Sequence, residues 1–129
     1  MRRLFFSALA VCALLPGISQ TFDYRAKTLF LRGTEFIYLE NYKAAIKDFS
    51  EAIRLDSGFV EAYENRGVSK YYLNNYEGAI DDYNQALELK PYDYETYGRR
   101  GWAWFGLKRY EEALLDFTKA LNGVADESK

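Results

Sequence analysis

The stretch NRGVSKYYLNNYEGAIDDYNQALELKP, residues 65–91, decides the fold of this chain. Its apolar residues recur at intervals of three and four, which predicts two amphipathic helices. The Asn-Asn pair at residues 74–75 is typical of a tight turn between them. We expect the helix backbones to approach closely at the small residues of this stretch, which are Gly67, Ala79 and Ala86.

The same pattern occurs three times in the chain. The shift that takes Gly33 to Gly67, and Gly67 to Gly101, also superposes two alanines and several charged and aromatic positions. A period between 20 and 50 residues is typical of proteins built from stacked repeats. The matching sets include Gly33, Gly67 and Gly101; Ala45, Ala79 and Ala113; Ala52, Ala86 and Ala120; Arg32, Arg66 and Arg100; and Asp48, Asp82 and Asp116.

These positions resemble the tetratricopeptide repeat family, whose pattern is W-x2-L-G-x2-Y, then A-x3-F, then P. The central copy carries it as Tyr63, Arg66-Gly67, Lys70, Ala79, Tyr83 and Pro91. Arginine replaces the leucine before each glycine, and only one copy keeps the closing proline. The resemblance implies an all-α fold, a right-handed superhelical α-solenoid of helix-turn-helix repeats at residues 26–59, 60–93 and 94–127.

Apolar spacing predicts helices at residues 23–39, 42–55, 60–73, 76–89, 94–107 and 110–122. Short turns should join them at residues 40–41, 74–75 and 108–109. The second helix of each copy has one continuous apolar face, which we expect to pack. In the third copy this face consists of Tyr110, Ala113, Leu114, Phe117, Ala120 and Leu121.

Residues 1–19 have the layout of a secretory signal peptide, with Arg2 and Arg3, an apolar run at 4–15 and a Pro-Gly break. The run is shorter than the roughly 20 residues that span a bilayer. We therefore expect cleavage after Ser19 and an exported protein, periplasmic or secreted, with one domain at 20–129. The alternative is a lipid anchor at Cys12, which lies in a weakly lipoprotein-like LAVC sequence.

The composition and charge of the chain argue against several classes of function. The chain carries 17 basic and 19 acidic residues and no histidine, and its single cysteine lies in the leader. Nucleic-acid binding needs clustered cations, so we expect none. The usual zinc ligands and the usual nucleophile and base pairs are missing. The sequence therefore predicts no enzyme activity, no metal, no cofactor and no small-molecule substrate.

An arginine and an aspartate recur in register at a constant spacing, one on each helix of a pair. We interpret them as an ion pair between the two helices, repeated along the stack. The alternative is a row of three arginines that bind a ligand.

The family resemblance implies a concave surface, lined by the first helices, that holds a peptide or a helix of a partner protein. Carried over residue by residue, this surface is aromatic with acidic edges. Aromatic anchors carry most of the energy in such interfaces, although some rings could instead pack against the next repeat. The candidate partner-binding residues are Phe30, Tyr38, Tyr71, Tyr72, Trp102 and Phe105.

One subset of the family binds the carboxylate tails of heat-shock chaperones through five polar residues. This sequence matches it only at Asn65 and Arg99. Phe30, Thr34 and Glu95 stand where lysine, asparagine and lysine would be expected. Without the two lysines this function is not predicted.

The last helix suggests an alternative function. Repeat arrays usually end in a polar face, but Leu115 stands where the earlier copies have Lys47 and Asp81. The alternative is a self-assembling or structural component of an envelope complex that makes its contacts, including homo-oligomeric ones, through the C-terminal repeat. A few exposed leucines could also simply be tolerated at this edge.

Overall fold

The computed structural model describes residues 16–127. In this range it has six α-helices, and none of them is long and apolar enough to span a bilayer. Each helix packs antiparallel on the next, so three pairs stack in chain order and give the predicted all-α solenoid. The helices are α1 (Pro16–Tyr38), α2 (Tyr42–Leu55), α3 (Val60–Tyr72), α4 (Tyr76–Leu89), α5 (Tyr94–Gly106) and α6 (Tyr110–Glu127).

The turns within the pairs lie where the sequence predicted them. Asn41 and Asn75 each accept a hydrogen bond from the backbone amide three residues later, at 3.3 and 3.0 Å, and so begin α2 and α4. The preceding residue adopts the left-handed conformation that often closes a helix. Its φ lies between 55° and 60° in Glu40, Asn74 and Lys108.

The glycine of each repeat makes room for an aromatic ring. A Cβ atom added at Gly67 would lie 2.7 Å from Cε1 of Tyr83, a ring that is almost fully buried. A side chain at this position would overpack the contact, so the small residue sets the distance between the paired helices. The same contact joins Gly33 to Phe49 and Gly101 to Phe117.

The predicted ion pair within each repeat is confirmed. Arg66 donates from Nε to Asp82 Oδ2 at 2.9 Å and from Nη2 to Oδ1 at 2.7 Å. All three aspartates are buried, so each arginine neutralises a carboxylate that is shielded from water. The same two-point geometry, at 2.6 to 2.8 Å, joins Arg32 to Asp48 and Arg100 to Asp116.

Two of these arginines also bind the preceding repeat. Arg66 Nη1 donates to Ser50 Oγ at 3.1 Å. Arg100 Nη1 donates to Asn84 Oδ1, one period later, at 2.8 Å. One guanidinium thus joins three helices, and this explains why arginine suits the position where the family has leucine.

The two terminal helices are longer than predicted. α1 begins at Pro16 rather than at residue 23, and proline suits the first turn because its missing N–H needs no partner there. α6 continues to Glu127 rather than ending at 122. Gly58 and Pro91 interrupt the chain after α2 and α4, whereas residues 125–126 occupy the corresponding region of α6 and include no such helix breaker.

The prediction that every second helix packs along its whole apolar face was wrong for α6. Leu114 and Leu121 are exposed, because no further helix follows α6 in the described part of the chain. The proposed leader lies mostly outside the described residues. Its last four residues, 16–19, form the first turn of α1.

We expect the Arg66–Asp82 pair to show strong energetic coupling in a double-mutant cycle of the two alanine variants and their combination. Only 19% of the Arg66 side chain is exposed, and Lys70 also lies 2.9 Å from the same carboxylate. The coupling in urea unfolding should be about 1.5 to 3 kcal/mol. A cycle on Arg32 and Asp48 is the matched control, because 58% exposure of Arg32 should reduce the coupling by solvent screening. Coupling near zero at Arg66–Asp82 would contradict a structural role.

Candidate partner-binding groove

The helices α3 and α5 enclose a cavity of about 530 Å³, with the ring of Tyr83 from α4 behind it. Three of the six predicted site residues line this cavity. We call it the aromatic groove, and its lining residues are Val68, Tyr71, Tyr72, Tyr83, Arg99 and Trp102.

Helical periodicity brings these residues together. Val68, Tyr71 and Tyr72 are spaced at i, i+3 and i+4, which places them on one face of α3. Arg99 and Trp102 are spaced at i and i+3 on α5. Because stacking sets α3 and α5 side by side, the two faces form opposite walls of the aromatic groove.

The rings of the groove are held from behind by other rings. Tyr72 stacks on Tyr42 of the preceding repeat, with centroids 5.0 Å apart and an interplanar angle of 11°. Trp102 meets Phe117 edge-on at 5.2 Å. More than half of the surface of Tyr72 and of Trp102 nevertheless remains exposed. The two rings are therefore positioned in advance and still open to a ligand.

The other three predicted residues lie elsewhere. Phe105 is half exposed and packs edge-on against Trp102 at 5.9 Å, so it extends the aromatic surface beyond the cavity. Phe30 is half-buried, with its ring 4.9 Å from that of Phe59. It packs against Phe59, the last residue of its own repeat, rather than lining the groove. Tyr38 is highly exposed at the end of α1, outside the cavity.

Sequence reasoning left three groove residues, Val68, Tyr83 and Arg99, out of the predicted site. Arg99 lies between Glu95, at 2.5 Å, and Glu64, at 3.9 Å. The spacing of four residues from Glu95 is a signal for the first contact, but Glu64 belongs to another repeat. Tyr83 was assigned only to the packed face of α4. Its burial raises the pKa of its hydroxyl, which stays protonated.

A second cavity, of about 640 Å³, lies beside the aromatic groove and shares Arg99 and Trp102 with it. Its other lining residues include Lys90, Tyr92 and Glu95. Trp102 therefore contributes to two adjoining depressions, and a ligand longer than one side chain has room along α5.

The wall between these repeats contains two carboxyl groups that share one hydroxyl. Thr96 Oγ1 lies 2.9 Å from Glu64 Oε1 and 3.0 Å from Asp93 Oδ2. Its single proton cannot serve both carboxylates. Burial, together with the hydrogen bond to Asp93, raises the pKa of Glu64 to about 7. Burial opposes ionisation of Asp93 too, but its hydrogen bonds with Glu64 and Thr96 lower its pKa.

This arrangement predicts a stability that falls as the pH rises from about 4.5 to about 7. In this range the folded protein keeps a proton on Glu64 that the unfolded chain has lost, so ionisation favours unfolding. Glu64→Gln cannot ionise. It should raise the free energy of unfolding at pH 8 by about 1 to 3 kcal/mol relative to its effect at pH 4.

The measurement is urea unfolding of the wild type and of Glu64→Gln between pH 4 and pH 8. Glu61→Gln is the matched control, because Glu61 is exposed on the same helix and should show no such trend. An effect of Glu64→Gln that is the same at pH 4 and pH 8 would show that folding does not raise the pKa of Glu64.

Comparisons with known proteins agree with this geometry. Models of the tetratricopeptide repeat (TPR) match residues 26–59 and 60–93, together more than half of the chain. Residues 94–127 add a third pair with the same ion pair and the same contact of glycine with an aromatic ring. No curated protein sequence matches the chain significantly.

Several solved structures share the fold. The first TPR domain of Spaghetti (RPAP3), bound to the HSP90 peptide SRMEEVD, is 27% identical, with a TM-score of 0.76 over 78% of this chain and 80% of that one. The TPR2B domain of yeast Sti1, in a complex described as pHsp70, is 27% identical, with a TM-score of 0.77 over 80% and 82%. MamA is 22% identical, with a TM-score of 0.78 over 92% and 74%, and this likeness shows the fold alone. The chain belongs to the tetratricopeptide repeat family and has its solenoid fold.

Proposed function

We propose that this protein is an exported interaction module that binds a peptide or a helix of a partner protein in the aromatic groove. TPR repeats generally serve as protein-interaction modules rather than as enzymes. The observation that carries the proposal is the cavity between α3 and α5, in which Tyr72 and Trp102 are both held from behind and exposed. An exposed aromatic surface of this kind is one that a partner buries.

The chemistry of the groove favours a partner segment with apolar and basic side chains. Four of its six lining residues are aromatic, Glu95 forms an exposed acidic edge in the adjoining cavity, and Glu61 is exposed on α3 two turns before Val68. The one cation in its lining, Arg99, already has two carboxylate neighbours. An apolar side chain would fill the cavity, while a lysine or arginine beside it would meet the acidic edge or a ring face.

The same features disfavour an acidic tail. The peptides in the two chaperone-related structures belong to those proteins. Here Phe30 packs in the core, and Thr34 donates its hydroxyl to the carbonyl of Phe30 at 2.9 Å. Neither position supplies the cation or the amide that would hold a carboxylate.

The pull-down that tests the groove uses residues 20–129 as bait in an extract of the native cell envelope. Its partner should be retained by the wild type and lost by Tyr72→Ala/Trp102→Ala. Losing two ring anchors should weaken binding at least 30-fold once the partner is known and titrated. Tyr24→Ala is the matched control, since Tyr24 is an exposed ring on α1 outside the groove.

Circular dichroism must show that the double variant is folded. Equal retention of the partner by the wild type and by the folded double variant would overturn the groove as the binding site.

Export is the second part of the proposal, and the leader-like residues 1–19 support it. Cleavage after Ser19 would shorten α1 by only its first turn and leave every ion pair in place. The mass of the protein recovered from the envelope or the medium should correspond to residues 20–129. An unprocessed chain of 15.0 kDa in the cytoplasm would contradict export, and an added lipid mass at Cys12 would indicate the anchored form.

A further inference from the structure

The outer face of α6 exposes a row of leucines. Leu114, Leu115 and Leu121 are 67%, 67% and 71% exposed. On α4 the residues equivalent to Leu114 and Leu121 are Ile80 and Leu87, which are only 5% and 7% exposed because α5 covers them. We call Leu114, Leu115, Thr118 and Leu121 the α6 stripe.

The α6 stripe continues an interface that already exists twice in the chain. The faces of α2 and α4 are each covered by the next first helix, whose arginine donates to Ser50 or to Asn84. Thr118 is the residue that follows these two at the same period, and its hydroxyl oxygen can accept such a bond. The stripe thus has the shape and chemistry of a surface that another helix covers.

Leu115 shows that the covering helix is not simply that of a fourth repeat. The equivalent residues, Lys47 and Asp81, remain exposed even where the next repeat is in place. Repeat stacking therefore does not account for an apolar side chain at this position. A helix lying more directly over α6 would bury Leu115 together with Leu114 and Leu121.

The opposite end of the chain is a poor partner for the stripe. The face of α1 that would enter a head-to-tail stack carries Glu35 where α3 and α5 have Ser69 and Ala103, both fully buried. Stacking would place this carboxylate against leucines, at a large cost in desolvation. A chain of copies joined head to tail is therefore disfavoured.

We propose that the α6 stripe binds the α6 stripe of a second copy, with the two helices antiparallel about a two-fold axis. At 100° per residue, the stripe covers an arc of about 120°, with Thr118 near its middle. Leu114 and Leu121 lie about 6 and 4.5 Å to either side of Thr118 along the helix. A crossing at Thr118 therefore brings Leu114 of each copy to Leu121 of the other.

Repulsion between like charges does not oppose this pairing. Glu111 lies in the first turn of α6 on the same face as the stripe, about 20° around the helix from Thr118 but about 10.5 Å from the crossing point along the helix. The two copies of Glu111 would be about 21 Å apart, well beyond the Debye length of about 8 Å at physiological ionic strength. Because both copies use the same surface, the assembly stops at two copies, as in most homodimers.

The first test is the mass of the native protein at micromolar concentration, by sedimentation equilibrium. We expect a dimer, and Leu114→Lys/Leu121→Lys should raise its dissociation constant at least 100-fold. Leu31→Lys is the matched control, since Leu31 is equally exposed on α1 and should leave the dimer intact. A wild type that is monomeric at 50 µM, or a dimer that survives in the folded double variant, would overturn the proposal.

The second test locates the two-fold axis. In a Cys12→Ser background, Thr118→Cys should form a disulfide-linked dimer under mild oxidation, because each Thr118 faces its own copy at the crossing. Leu31→Cys should not. A dimer in which Thr118→Cys fails to cross-link would exclude the antiparallel arrangement. The dimer variants change no residue of the aromatic groove, so failure of this proposal and failure of groove binding are distinguishable.

Discussion

The two-point ion pair between an arginine and an aspartate is the contact on which the rest of this structure depends. In sequence it adjoins the contact of glycine with an aromatic ring, since Arg66 precedes Gly67 and Asp82 precedes Tyr83. Two dipeptides therefore set both the register and the distance of a helix pair. The ring fixes how closely the two helix backbones approach. The two-point hydrogen bonding of the guanidinium fixes their register along the helix axes. Repetition of these dipeptides at a constant period makes the three pairs alike.

The third nitrogen of the guanidinium, Nη1, connects the second and the third helix pair each to the preceding repeat in the stack. By binding Asn84, Arg100 positions α5 relative to α4, and α5 carries Arg99 and Trp102. The arginine that pairs α5 with α6 thus also holds α5, one wall of the aromatic groove, against α4. A site on rigid helices, with rings supported from behind, loses little conformational entropy when it binds.

The sequence predicted what depends on periodicity. The helices, the turns and the ion pairs recur in every repeat, so each position was supported three times. Tyr71, Tyr72 and Trp102 were found because the family resemblance assigns groove positions to the first helices, and the three residues line the cavity. The position of Phe30 depends on the ring of Phe59, a residue that has no aromatic equivalent in the later repeats, and periodicity does not report this contact.

The sequence could not predict features that depend on which helix covers a face, or on departures from the repeat pattern. A repeat pattern shows which face of α6 is apolar but not whether a helix covers it, and so Leu114 and Leu121 were wrongly expected to pack. The start of α1 was misplaced because it lies before the first repeat, and the end of α6 because residues 125–126 lack the helix breaker that follows α2 and α4. The contact of Arg99 with Glu64 joins two repeats through residues that do not recur as a pair.

The contact between Trp102 and Phe117 has a consequence for how the groove opens. In a solenoid each repeat is stabilised only by its neighbours, and the third repeat has one neighbour within the described residues. Its local unfolding would remove Trp102 from the groove while Tyr72 stays in place on Tyr42. The apparent affinity for a ligand then scales with the fraction of molecules whose third repeat is closed. Whatever stabilises α6 at the end of the stack therefore strengthens binding in the groove between α3 and α5.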